Sequence, residues 1–146
     1  EELKNSMKTI LTLEEIKNYI RMLLKKIIGV RDTISGRRYS DIIEIAKDQI
    51  RKTYMSDEIS LNTIAAEVGM SPSYFSSIFS KEMGKTFVEY LTEIRMDRAK
   101  ELLMCSSMKT SEIGYEVGYK DPHYFSYIFK KTQNCTPKEF RARGKE

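Results

Sequence analysis

The chain offers little that could carry out covalent or metal chemistry. Its 146 residues include one histidine, His123, and two cysteines, Cys105 and Cys135. A lone histidine with two distant cysteines cannot supply the three or four ligands of a zinc site, nor the base of a Ser-His-Asp triad. No paired carboxylates stand at motif spacing and no glycine-rich loop is present to cradle a phosphate. An enzyme is therefore not expected, and no cofactor is. The cysteines read as reduced core residues of a cytosolic protein. No apolar run approaches the roughly 20 residues needed to cross a bilayer. The polar opening Glu1-Glu2 is unlike a signal peptide. No membrane partner is expected, and the location expected is cytoplasmic. The chain opens on Glu1 rather than Met, so it is expected to be part of something longer.

Charge of one sign is also scarce where a polyanion binder would carry it. The net charge is +4. Residues 1–40 hold 9 Lys and Arg against 5 Asp and Glu, whereas residues 41–146 balance at 16 against 16. If the C-terminal part binds nucleic acid, its charge must be segregated by face rather than by total. The 40% hydrophobic and 32% charged content suits a packed core under a solvated surface.

What the chain does have is an internal repeat. Ile64-Ala65-Ala66-Glu67-Val68-Gly69 recurs as Ile113-Gly114-Tyr115-Glu116-Val117-Gly118. Pro72-Ser73-Tyr74-Phe75-Ser76-Ser77-Ile78-Phe79-Ser80-Lys81 recurs as Pro122-His123-Tyr124-Phe125-Ser126-Tyr127-Ile128-Phe129-Lys130-Lys131. The offset is 49 before the turn and 50 after it, so the second copy has one extra turn residue. Each copy reads as helix, tight turn, helix. In the first, Ile64, Val68, Met70, Phe75 and Ile78 are apolar, and Ala65 is small where two helices must approach. Gly69 suits the left-handed end of the first helix, Ser71 caps the next, and Pro72 takes its first position. Gly114, Gly118, Asp121 and Pro122 repeat this. Such a unit is a helix-turn-helix, whose second helix reads the major groove of DNA.

The flanking segments complete an all-α architecture. Gly84 and Asn134 close the two second helices at about residues 83 and 133. Capping boxes at Thr86-Phe87-Val88-Glu89 and Thr136-Pro137-Lys138-Glu139 each open another helix. The first box starts a long run, about Phe87 to Leu103, with Phe87, Leu91, Ile94, Ala99, Leu102 and Leu103 apolar. At about 18 residues it makes a rod of roughly 27 Å, against about 34 Å between successive major grooves on one side of the duplex. Another helix is expected from about Asp41 to Tyr54, buried along Ile42, Ile45, Ala46, Gln49 and Ile50. Seven helices are thus expected between Asp41 and Arg143: two helix-turn-helix units joined by a long central helix. Upstream lies a helical extension.

From Ser40 to Arg143 the sequence resembles the AraC/XylS family of bacterial transcription regulators. The elements that carry the resemblance are residues Leu61 to Phe75, Phe79, Lys81, Gly84, Arg95 with Ala99, Leu102 and Leu103, and the second unit through Thr136, Pro137, Phe140 and Arg141. The resemblance implies a bipartite DNA-binding domain over residues 40–146, acting on double-stranded DNA at promoters, with RNA polymerase as a partner. The two recognition helices, about residues 72–83 and 122–133, are expected to enter adjacent major grooves. The outward stripe of the first is Ser73, Ser76, Ser77 and Ser80, and that of the second is His123, Ser126, Tyr127 and Lys130. Ser71, Tyr74, Lys81, Tyr124, Lys131 and Arg141 complete the residues expected on DNA. Many relatives carry arginine at the positions of Ser77 and Tyr127, so the bidentate reading of guanine that arginine gives is not expected here. Lys130, Lys131, Lys138, Arg141, Arg143 and Lys145 form a basic cluster expected to hold phosphates, which positions without specifying sequence.

Residues 1–39 lie outside the resemblance. A short helix is expected over Leu3, Met7, Ile10 and Leu11, and a capping box at Thr12-Leu13-Glu14-Glu15 opens a second. Its apolar residues Ile16, Ile20, Leu23, Leu24, Ile27 and Ile28 precede Gly29, spaced like a short coiled-coil seam. Val30 to Tyr39, with Gly36-Arg37-Arg38, reads as a linker. This segment either packs on its own domain or forms a dimerising connector to an upstream receiver or ligand-binding domain. The competing functional class is a helical adaptor that binds a protein partner without reading DNA.

Overall fold

The computed structural model describes residues 13–144; for residues 13–15 and 25–38 it describes the backbone alone. Among the described residues there are seven helices and no strand: α1 Leu13–Thr53, α2 Leu61–Glu67, α3 Pro72–Met83, α4 Phe87–Cys105, α5 Thr110–Glu116, α6 Pro122–Gln133 and α7 Pro137–Arg143. The chain divides into two compact units, Glu1–Ser40 and Asp41–Glu146.

In the first unit the expectation of a helix ending before Gly29, then a linker, is overturned: α1 runs through Gly29 and Gly36 to Thr53. An isolated glycine costs a helix only about 1 kcal/mol. With no proline between Val30 and Tyr39, nothing enforces a stop. The short helix over Leu3 to Leu11 and the Thr12 cap lie outside the described residues. Ile16, Tyr19, Ile20, Met22, Leu23 and Leu24 are all exposed on α1.

The second unit is built on caps that the sequence specifies. Ser60 opens α2 with its hydroxyl accepting from the Thr63 N–H at 3.2 Å. The Thr86 and Thr136 hydroxyls each accept, at 3.2 Å, from the N–H of the glutamate three residues on. Glu89 and Glu139 return the bond from the cap N–H at 2.7 Å. Gly84 and Asn134 end α3 and α6 with φ of 66° and 57°. Each cap satisfies N–H or C=O groups that the helix itself leaves open.

Two cores share α4. In the first, Ile64 and Ala65 of α2 and Phe75, Ile78 and Phe79 of α3 are buried; Ile43, Ala46 and Ile50 of α1 are buried as well. Phe79 meets Phe87 and Tyr90 of α4 edge-on at 6.2 and 5.7 Å. In the second, Met96, Ala99 and Leu103 of α4 lie with Ile113, Val117, Tyr119, Phe125, Phe129 and Cys135. Full burial of each phenylalanine contributes about 1.5–3 kcal/mol.

Two expected stripes hold in part. On α1 the buried line is Ile43, Ala46 and Ile50, and Ile45 stands outside, 54% exposed. On α4, Phe87, Leu91, Ala99 and Leu103 are buried as expected, Tyr90, Arg95 and Met96 are buried beside them, and Ile94 and Leu102 are half-buried. In both cases the sequence offers more apolar positions than one face can hold, and the neighbouring helix selects among them.

Candidate nucleic-acid interface

The two helix-turn-helix units turn in the same way. The Met70 N–H donates to the Ala65 carbonyl at 2.8 Å, and the Tyr119 N–H to the Gly114 carbonyl at 2.9 Å. Gly69 and Gly118 hold φ of 70° and 92°, a conformation in which a side chain is strained. The extra turn residue of the second unit is therefore beyond Tyr119, at Lys120, whose ammonium pairs with Asp57 at 3.2 Å.

After the turn each recognition helix starts on a capped proline. The Ser71 hydroxyl accepts from the Tyr74 N–H at 3.4 Å, and an Asp121 carboxylate oxygen from the His123 N–H at 2.8 Å. Anchoring by Phe75, Ile78 and Phe79 on α3, and by Phe125 and Phe129 on α6, turns the opposite face outward. On α3, Ser73, Tyr74, Ser77 and Lys81 are exposed and Ser76 and Ser80 are half-buried. On α6, His123, Tyr124, Tyr127, Lys130 and Lys131 are exposed. Ser126 is half-buried, and its hydroxyl donates to the Pro122 carbonyl at 2.9 Å.

The two faces differ in relief. That of α3 consists mainly of short hydroxyl side chains. That of α6 carries two stacked rings, Tyr124 and Tyr127, with centroids 6.4 Å apart and planes at 30°. Tyr124 in turn meets the buried Tyr119 at 6.0 Å.

Arg141 is held by two backbone carbonyls. Its Nε donates to the Leu103 carbonyl at 3.1 Å and an Nη to the Met108 carbonyl at 2.6 Å, with the side chain half-buried. Leu103 lies in the last turn of α4, where free carbonyls favour a cation. The Arg141 guanidinium thus joins α7 to the end of the central helix. Lys138 and Arg143 are the exposed cations of α7.

Arg95 was not foreseen as anything but part of a family pattern. It lies on the buried face of α4, 8% exposed. Its Nε donates to the Tyr54 carbonyl at 2.8 Å and an Nη to the Ser56 carbonyl at 2.9 Å, and its guanidinium carbon sits 5.0 Å from the centre of the Tyr119 ring. Burial pulls the Arg95 pKa below its ordinary value and pushes that of Tyr119 above its own. A charge so placed is tolerated because carbonyls and a ring face replace water. The signal for it was a charged residue in register with Leu91 and Ala99 on an apolar stripe.

Among the described residues no group of His, Cys, Asp and Glu could hold a metal ion. No described helix is long and apolar enough to cross a membrane.

A helix-turn-helix domain family matches residues 64–143. An HTH-type transcriptional regulator from the cgkA 5′ region of Pseudoalteromonas carrageenovora is 36% identical over 100 residues, covering 68% of this chain and 58% of the relative. The arabinose operon regulatory protein of Salmonella typhimurium is 34% identical over 125 residues, covering 84% of this chain and 43% of the relative. The chain thus spans about half the length of these two relatives. The solved C-terminal domain of AraT, a response regulator from Geobacillus stearothermophilus, is 35% identical with a TM-score of 0.69, covering 70% of this chain and 84% of that one.

Proposed function

The chain belongs to the AraC-type family of helix-turn-helix transcription regulators, and on that premise we propose that α3 and α6 enter successive major grooves on one side of a duplex. The observation that carries this reading is the pair of equivalently capped helices turned outward from the two cores that α4 shares. At 19 residues α4 is about 28 Å long. With side-chain thickness added, that suits grooves about 34 Å apart.

In this reading Ser73, Ser76, Ser77 and Ser80 face bases in one groove, and His123, Ser126 and Tyr127 in the next. Lys81, Lys130 and Lys131, near the helix ends, meet phosphates. Serine hydroxyls accept or donate and so discriminate weakly, whereas a tyrosine ring adds apolar contact that suits a thymine methyl. Tyr74 and Tyr124 flank the two faces. Ser71 contributes through its cap, which sets where the helix begins. The whole protein acts at promoters in the bacterial cytoplasm, with RNA polymerase as its partner.

The exposed apolar residues of α1 support a second copy of this chain as the partner of the first unit. Ile16, Ile20 and Leu23, with Ile27 next in the sequence, repeat at spacings of four and three, the pattern of a self-complementary coiled-coil seam. None of residues 16–24 is buried on the chain itself. Sedimentation of the chain and of an Ile20→Glu, Leu23→Glu variant tests this, since a parent monomeric at high micromolar concentration excludes the dimer.

Selection of bound duplexes from a random pool tests the two-groove reading. Two enriched half-sites about one helical turn apart are expected. A single half-site would reduce the second unit to a backbone grip, and no enriched site would point to an adaptor that binds protein.

A further inference from the structure

The contacts of Arg95 form a path from the first half of the molecule to the reading face of the second. At one end, Tyr54 and Ser56, which receive its two hydrogen bonds, follow the stretch of α1 that carries the buried Ile43, Ala46 and Ile50. At the other end, the guanidinium lies over Tyr119, Tyr119 meets Tyr124 at 6.0 Å, and Tyr124 stacks on Tyr127 at 6.4 Å. A Cβ at Gly118 would stand 2.7 Å from the Arg95 guanidinium and 2.8 Å from the Tyr54 carbonyl oxygen. The turn of the second unit is thus seated directly on this junction. The Lys120–Asp57 pair closes the same seam at the surface.

The turn of the first helix-turn-helix is set differently. A Cβ at Gly69 would meet nothing within 4 Å. Gly69 thus faces open space, while Gly118 is set against the rest of the domain. A guanidinium suits that junction, because its planar fork makes several directed bonds at once and stacks on an aromatic face, which an ammonium does not.

We infer that Arg95 is a positioning residue for DNA recognition: by joining the segment after α1 to Tyr119, it fixes the angle and separation of α6 relative to α3, and with them the half-site spacing the protein accepts. This rests on the two-groove reading. A pair of helices held at one separation pays for a wrong spacing by bending or twisting the DNA or by losing one helix's contacts. A pair joined loosely accepts several spacings. The consequence of losing Arg95 is therefore a change in selectivity for spacing, which a residue that only stabilises the fold would not alter.

The test is binding of the whole chain to duplexes that carry the two selected half-sites at the preferred separation and at separations one and two base pairs shorter and longer. The parent is expected to lose about tenfold or more in affinity two base pairs from the optimum. Arg95→Ala is expected to bind the optimum more weakly and to show a profile flat to within about threefold, with each single half-site bound to within about twofold of the parent. Arg95→Lys, which keeps a cation able to reach one carbonyl, is expected to restore part of the preference. Tyr119→Leu keeps both carbonyl bonds, and with them the fold, and is expected to broaden the profile partway. An unchanged profile in Tyr119→Leu overturns the inference even if Arg95→Ala does not fold, as does a steep profile in a folded Arg95→Ala. A flat profile in the parent overturns the two-groove reading itself, and the inference with it.

Discussion

Gly69 in the turn of the first unit faces open space, whereas its counterpart Gly118 lies against Arg95 and the carbonyls of Tyr54 and Met55. The same contrast recurs where the helices of each unit cross. Ala65 is accommodated with its methyl fully buried, but a Cβ at Gly114 would come within 3.1–3.2 Å of the Phe125 side chain. On the reading faces, short serines on α3 stand against His123, Tyr127 and Lys130 on α6. One backbone plan has thus been used twice under different constraints. The first unit packs on α4 through Phe79 and has an open turn and a low-relief face. The second is packed more tightly, tied to the rest of the domain through Arg95, and presents bulk and charge. Repetition in sequence therefore does not imply interchangeable roles.

Substitution of the paired glycines gives the largest expected difference between the units. Gly118→Ala combines a strained φ with overlap against two backbone oxygens that cannot swing aside, and should cost roughly 3–5 kcal/mol. Gly69→Ala meets only the strain of a left-handed residue, about 1–2 kcal/mol. Urea denaturation of both variants checks this, and equal losses would erase the asymmetry at the turns.

On DNA, Tyr127→Ala should weaken binding to the selected site by about 1–2 kcal/mol, and Ser77→Ala by about 0.5 kcal/mol or less. Titration of both variants against the same duplex decides the ranking. A larger loss at Ser77 would transfer the reading role to the first unit.

Salt separates grip from recognition. The balanced charge of residues 41–146 predicts few phosphate contacts and a shallow dependence of affinity on salt. Lys130→Ala with Lys131→Ala should reduce the slope by about two, and Lys81→Ala by about one. A slope unchanged by the α6 pair would place the phosphate contacts elsewhere, Lys138 and Arg143 being the next candidates.

The smallest effect is the one in which the halves should agree. Bonds from the backbone N–H and hydroxyl of Thr86 hold the Glu89 carboxyl below its ordinary pKa, and those of Thr136 do the same for Glu139. A depressed carboxyl contributes stability above its unfolded pKa and loses it as pH falls through the folded value. Thermal stability should therefore decline on acidification below the ordinary carboxylate pKa of about 4.3. Glu89→Gln and Glu139→Gln should each flatten that decline by a similar small amount in melts between pH 3 and 6. Markedly unequal flattening would show that the two caps also differ.

Much of the fold was legible because local chemistry specifies it. Ser71, Thr86, Thr136, Gly84 and Asn134 each act within four residues of their own position, so the sequence alone places the helix ends. Gly29 and Gly36 misled, because a glycine is also tolerated inside a helix, and both lie inside α1. The carbonyl bonds of Arg141 were illegible for a different reason. Its acceptors, Leu103 and Met108, are more than 30 residues away, and no local pattern distinguishes a guanidinium that will meet backbone carbonyls from one that will meet phosphate.

By itself the sequence determined the tandem repeat, its caps and turns, and the outward stripes of serine on α3 and of His123, Tyr127 and Lys130 on α6. These depend on periodicity and on short-range hydrogen bonds, which are properties of the chain in any surroundings. Only the tertiary structure decided which of several apolar positions on α1 and α4 are buried, that Lys120 is the added residue and pairs with Asp57, and that Arg95 joins the two halves. Those outcomes depend on atoms brought together from distant parts of the chain, where close packing leaves one arrangement that fits.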